Sequence, residues 1–401
     1  MMRKVLVLLP WILFLTGCWS SQELDKSALV FGVGLDKPDG KLLLNFEIIK
    51  PTGPSTQGGG GGETPGGDIK HIILEKDGES IIQTIRQSIR YAKRRLYFDH
   101  ARVWVISEKL ARDPFVDFLD LARRDQMFRL NSYLFITQNT PHKILSTPTL
   151  YESLPSIELV SALDQTQYIA EYTSVKMYEF FRLIEGAVHN AYLPIIKLKK
   201  IEKQMITSLE GTAVINKNKM VGILDVRETH GLSHLLNKVK SCYITVFMDK
   251  KNHKDRVTIE VIKANTKLKP ILKGRKLTGK IDITLEGTIA ENFTLESTDQ
   301  KWLNKLEQHL IEQTKKDIRG TLNKLQKELK TDITGIGLET YRKYPKQWQE
   351  IAEDWDEVFA NGDLTIDVHW EVHHPGLINK SIEYHHKPRN NPFKEIPIWF
   401  K

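Results

Sequence analysis

The stretch Ala101–Gln138, ARVWVISEKLARDPFVDFLDLARRDQMFRLNSYLFITQ, carries the pattern on which the fold turns. ARVWVIS is rich in β-branched and aromatic residues and reads as a strand, PFVDFLDLARR reads as a helix, and NSYLFITQ returns to a strand. Upstream, Ile81, Ile82, Ile85, Ile89 and Ala92 recur at helical spacing between Glu79 and Arg95. Helices and strands therefore alternate between residues 70 and 140, the element order of an α+β or α/β layer.

Toward the N-terminus, SALVFGVGLD and KLLLNFEIIK are β-rich runs joined through Lys37, Pro38, Asp39 and Gly40, which predicts a hairpin. Residues 51–67 follow, with five consecutive glycines from Gly58 to Gly62 among further Pro and Gly. A phosphate cradle needs a Gly-Lys-Ser/Thr ending; this run has none and reads as a flexible loop. Toward the C-terminus, Thr140 to Pro155 is enriched in Pro, Ser and Thr and marks a candidate sub-boundary near 140–155. Helical patterns in SIELVSALDQ and SVKMYEFFRLIEG come next, then the extended run YLPIIKLKKI.

From about Ser208, LEGTAVINKNKMVGILD predicts two strands around a polar turn at Asn216–Lys219. Further strands are expected in CYITVFMD, DRVTIEVIKANTKLKP and LTGKIDITLEGTIA. Between Lys301 and Lys330, Leu303, Leu306, Leu310, Ile318, Leu322, Leu325 and Leu329 form one face of a long amphipathic helix. A second helix bearing Trp348, Ile351, Trp355 and Phe359 precedes the strand DLTIDVHWEVHH. The expected fold class is α+β, a multi-domain mixed α/β chain. Its N-terminal α+β region covers 18–200, an antiparallel-sheet domain packed by long helices covers 201–380, and residues 381–401 form a polar tail.

The chain begins with a basic pair, Arg3 and Lys4, before the apolar run Val5–Leu15, which only Pro10 interrupts. As a helix this run spans about 17 Å against about 30 Å of bilayer hydrocarbon, so it reads as a signal-peptide core. The residues that end it, Leu15, Thr16, Gly17 and Cys18, resemble the lipobox of bacterial lipoproteins. A small-x-small cleavage site is absent near residues 15–25, which disfavours a general secretory signal. Residues 1–17 are then expected to be removed, with Cys18 carrying an S-diacylglycerol and an N-acyl group. Two acyl chains hold a protein stably on a membrane where one does so only marginally.

Removal of residues 1–17 leaves 384 of 401, enough for two or three domains, and loss of Arg3 and Lys4 takes the formal charge from +8 to +6. Acidic and basic residues are interspersed, with no basic stripe interleaved with aromatics, so no nucleic acid partner is expected. Cys242 is the remaining thiol, which allows no internal disulfide. It lies in a period-2 apolar run and reads as a small buried hydrophobe rather than a nucleophile. No stretch of 18 apolar residues follows Cys18, so the chain is expected to be anchored and not spanning.

The sequence contains no Gly-x-Ser-x-Gly, Ser-x-x-Lys, His-Glu-x-x-His or Cys-x-x-Cys. Glu79, Asp99, Asp120 and Glu228 are candidate acid/base carboxylates, but no spacing brings two together, and surface or capping roles suit them better. His369, His373, His374, His385 and His386 fall within 18 positions, and residues 369 and 373 share one face of a strand. No cysteine or nearby acidic pair completes a tetrahedral set there, so no metal and no cofactor is expected.

With these residues laid out, the chain resembles the Ger(x)C family, the lipoprotein C subunit of bacterial spore germinant receptors. Cys18, Trp19, Glu23 and Leu24 match its opening, and Ala28 to Asp36 resembles the segment that follows. RRLYFDHARVWVISEKLAR, then Leu119, Asp120 and Arg123, is similar to its helix, His-centred turn and strand. Glu210, Gly211, Thr212 and Ala213, then Val221 and Gly222, then Glu228, Thr229 and Gly231 continue the match. Asp332, Gly335, Gly337, Pro345, Trp348, Trp355 and Phe359 resemble its closing signature. Ser20 departs from the acidic residue common after Cys-Trp, and the glycine run is extra.

The resemblance implies several α+β domains on the outer face of the inner spore membrane and no catalytic residues. It also implies a multi-spanning A subunit and a transporter-like B subunit as partners in nutrient-triggered germination. Two other readings compete with this one. A solute-binding lipoprotein of a transporter would show two doubly wound lobes, and a cell-wall hydrolase would need a carboxylate or metal site.

Overall fold

The computed structural model describes residues 26–49, 71–165, 168–249, 255–294 and 299–373. The leader, Cys18, the 51–67 loop and the histidines from His374 onward lie outside the described residues.

Strand β5 (Val103–Ser107) is buried at every position. Its side chains alternate between two cores: Val103 and Val105 join Phe135, Leu159 and Ile196 on one face, while Trp104 and Ile106 join the main core on the other. A strand covered on both faces must be apolar throughout, which is why VWVI does not alternate. Around it the strands are β1 (Ser27–Asp36), β2 (Leu42–Ile49), β3 (His71–Gly78), β4 (Arg95–Tyr97), β6 (Tyr133–Thr137), β7 (Asn190–Ile201), β8 (Gln204–Asn216) and β9 (Lys219–Leu224). They form one sheet ordered β3-β2-β1-β5-β6-β7-β8-β9, with β4 paired to β1. The central pairs β1/β5, β5/β6 and β6/β7 are parallel, and the flanking hairpins are antiparallel.

Helices supply the crossovers that parallel strands require. They include α1 (Ile81–Ala92), α2 (Val116–Arg124), α3 (Pro155–Asp164) and α4 (Met177–Ile184). Ser80 caps α1 by accepting the Gln83 amide at 3.3 Å, and Lys93 ends it in the left-handed region. The hairpin predicted at Lys37–Gly40 is present, with Asp39 and Gly40 at positive φ. Thr140–Pro155, the candidate sub-boundary, contains a short helix at Pro141–Leu145 and lies against the first sheet, with Ile144 and Leu145 in its second core.

The second sheet is ordered β10 (Cys242–Phe247), β11 (Arg256–Lys273), β12 (Lys276–Asn292), β13 (Asp363–His373). The expectation of an antiparallel sheet needs one correction: β13 runs parallel to β12, from Thr278 opposite Asp363 to Thr288 opposite His373. Residues 299–362 form the crossover, including the long helix α6 (Gln300–Asn323), preceded in the chain by α5 (Val226–Leu235). The expected helix to Lys330 instead closes in a π turn at Lys324–Glu328, where Gln326 donates to the Phe359 and Gly362 carbonyls. The predicted second helix is two short ones, Pro345–Ile351 and Trp355–Ala360, whose Trp348 and Trp355 rings meet at 4.8 Å.

The division expected at 200/201 falls where β7 turns into β8, a hairpin that pairs from Asn190–Asn216 to Ile201–Gln204. The first sheet thus continues across that position to Leu224, and a single core links both sheets through α5 and α6.

Candidate functional site

The carboxylates considered for acid/base work do not meet one another. Asp99 accepts the Tyr97 hydroxyl and an Arg129 N–H, each at 2.7 Å, and these bonds hold it below the usual carboxylate range against a smaller burial effect. Asp120 pairs with Arg124 and Arg123. Glu228 closes a capping box at the start of α5: it accepts the Asp225 amide at 2.9 Å while Asp225 accepts the Glu228 amide at 2.8 Å. Glu79 precedes the N-cap of α1.

The recurrent motif residues build scaffold. Asp332 is fully buried at the centre of the closing signature. One carboxylate oxygen accepts the Thr334 amide and hydroxyl at 2.9 and 2.7 Å; the other accepts the Gly337 amide at 2.7 Å and Trp355 Nε1 at 3.1 Å. Burial raises its pKa, and these donors offset that rise only in part. A Cβ on Gly337 would fall 2.2 Å from Val188 and 2.8 Å from this carboxylate, so the cradle requires glycine. Gly211 has φ +83° and sits where a Cβ would lie 2.5 Å from the Leu224 carbonyl. The Thr229 hydroxyl donates to Thr212 at 3.1 Å, joining α5 to β8.

Of the histidines considered as a metal cluster, only His369 and His373 fall within the described residues. On β13, His369 is exposed, and His373 approaches Glu286 and Glu371 only at 3.9 Å. Among the described residues, three potential ligands do converge elsewhere: His230 and His234 on α5 and Cys242 at the start of β10, with their ligand atoms all within 4.8 Å of one another. His230 Nε2 lies 3.4 Å from Cys242 Sγ, and the two imidazoles meet edge to face at 4.8 Å.

Both nitrogens of His234 are buried with no hydrogen-bond partner. An unpaired buried donor costs about 1–3 kcal/mol, and in this imidazole both ring nitrogens are left without a partner. Burial lowers the pKa of His234 to about 3, with His230 adding to the effect. Burial also lowers that of His230, partly offset by Asp317. Burial pushes Cys242 up to about 12 and so favours its thiol form. The spacing His-x-x-x-His at 230 and 234 is the signal that sequence reading passed over; the approach of Cys242 has no trace in the sequence.

A cavity of about 910 Å³ opens beside this cluster, lined in part by His230, Cys242, Glu210, Asp225 and Arg227. Burial tends to raise the Glu210 pKa, but Lys199 and Ser208, which hydrogen-bond to it, hold it below its usual value. Arg227 is drawn to Asp317 of α6 at 2.5 Å.

The chain is a two-sheet α/β scaffold whose motif residues serve packing and capping, and the family it belongs to is that of spore germination proteins. The chain belongs to the Ger(x)C family: the "Spore germination protein N-terminal domain" matches residues 20–198, and "Spore germination B3/ GerAC like, C-terminal" matches residues 210–376. It is 29% identical over 415 residues to "Spore germination protein KC" of Bacillus subtilis (strain 168), covering 96% of this chain and 100% of that one. Against "Spore germination protein B3" of the same organism it is 24% identical over 387 residues, covering 94% and 99%. The crystal structure of the GerBC protein shares the fold with a TM-score of 0.53 at 21% identity, covering 85% of this chain and 96% of that one.

Proposed function

We propose that the chain is the lipid-anchored C subunit of a spore germinant receptor. In this reading it is required for nutrient-triggered germination and acts through contacts with a multi-spanning A subunit and a transporter-like B subunit. The observation that carries the reading is the in-order match of both germination domains over residues 20–198 and 210–376. Attachment falls to acylated Cys18, at the outer face of the inner spore membrane. Among the described residues no helix is long and apolar enough to cross a membrane. A non-enzymatic role suits candidate carboxylates engaged in ion pairs and caps. A solute-binding lipoprotein is disfavoured, because the second sheet is not a doubly wound lobe.

Deleting the gene is expected to abolish the response of spores to one class of germinant. Cys18→Ala is expected to release the protein from the membrane fraction or to reproduce the deletion. Normal germination in both strains overturns the proposal.

A further inference from the structure

We propose that His230, His234 and Cys242 form a Zn²⁺ site that clamps edge strand β10 of the second sheet to helix α5, which packs on the first.

The donor set is two imidazoles and one thiol, the combination that suits a borderline-soft divalent cation such as Zn²⁺ rather than Mg²⁺ or Ca²⁺. Residues 230 and 234 are one helical turn apart, so α5 presents both rings on one face. In a tetrahedral zinc site with bonds of about 2.0–2.3 Å, neighbouring ligand atoms lie about 3.3–3.6 Å apart. The His230 Nε2 to Cys242 Sγ separation of 3.4 Å already matches such an edge. The remaining separations, none above 4.8 Å, need a closure of at most about 1.5 Å, within the reach of side-chain torsions.

Two independent observations point to a ligand. His234 is fully buried with both nitrogens unpartnered, and a metal would occupy one of them. The cavity is lined by His230 and Cys242 and offers a route for the ion and room for a fourth, solvent-derived ligand. On binding, the Sγ proton leaves to solvent and the sulfur bonds the metal as thiolate.

The test uses the purified full chain, treated with chelator and titrated with Co²⁺ as a spectroscopic substitute, then with Zn²⁺. Wild type should bind one Co²⁺ with a thiolate-to-cobalt charge-transfer band that Zn²⁺ abolishes, and Zn²⁺ should raise its melting temperature. The chain has two cysteines, so in Cys18→Ala any thiolate band reports Cys242 alone, and the band should persist there. Cys242→Ser and His230→Gln should weaken binding at least tenfold. Absence of saturable binding in wild type overturns the proposal, as does loss of the band in Cys18→Ala. A band retained in Cys242→Ser, or unaltered affinity in His230→Gln, overturns it too. None of these outcomes depends on germination, so they stand or fall apart from the receptor assignment.

Discussion

Glu47 of β2 has no exposed surface, and its Oε2 has no hydrogen-bond partner among the described residues; Oε1 accepts the Ser156 amide at 3.5 Å, at the start of α3. Burial raises its pKa from 4.5 to about 7, with Ser156 acting in the opposite direction. Between those two values the unfolded chain releases the proton that the folded chain keeps. Stability therefore falls as pH rises through that window and levels off above it, a loss of about 3 kcal/mol. Glu47→Gln should flatten the pH dependence of the unfolding midpoint between pH 4.5 and 7 and be more stable than wild type at pH 8. An equal slope in denaturant titrations of the two proteins would refute this. Asp332 is equally buried, but both of its oxygens accept hydrogen bonds, from four donors in all. KLLLNFEIIK reads as a strand from its residues, but nothing in it distinguishes Glu47 from a solvated strand glutamate. That depends on α3 arriving from 109 positions away.

At the scale of elements, α5 and α6 approach closely at Gly231. A Cβ there would lie 2.2 Å from Thr321 Oγ1 and 3.1 Å from the Asp317 carbonyl, while the Thr321 hydroxyl donates to the Glu228 carbonyl at 2.9 Å. Gly320, on α6, has nothing within 4 Å of its Cβ position. The two glycines should respond in opposite directions. Gly231→Ala should destabilise by about 1–3 kcal/mol through overpacking. Gly320→Ala should stabilise by about 0.5–1 kcal/mol, because only helix propensity changes. Chemical denaturation of both variants checks the pair, and a stabilised Gly231→Ala would contradict the crossing. Periodicity exposed the apolar stripe of α6, because a helix buried on one side must repeat its leucines. It did not show that Gly231 faces Thr321, which depends on the crossing of two helices about 90 positions apart.

Over the whole molecule, the first sheet incorporates strands from both family regions, with β8 and β9 completing its edge after β7. A fragment ending at Lys200 exposes the long backbone edge of β7, whereas one ending at Leu224 keeps it paired. Residues 18–200 are therefore expected to self-associate on size-exclusion chromatography, and residues 18–224 to do so less. Monomeric, cooperatively unfolding 18–200 would show that the sheet does not need its last hairpin.

Local patterns were enough to assign the alternating first half, the hairpin at Lys37–Gly40, the long amphipathic helix and the strand-rich second half, since each follows from neighbouring residues that must share a face. Composition and the motif order likewise pointed to the family and singled out Cys18 as the expected anchor. The parallel placement of β13, the sheet running past residue 200, the buried state of Glu47 and the meeting of His230, His234 and Cys242 were decided only by tertiary structure. Each is a relation between segments distant in the chain, set by how helices and sheets pack to bury their apolar faces, and no local periodicity encodes it.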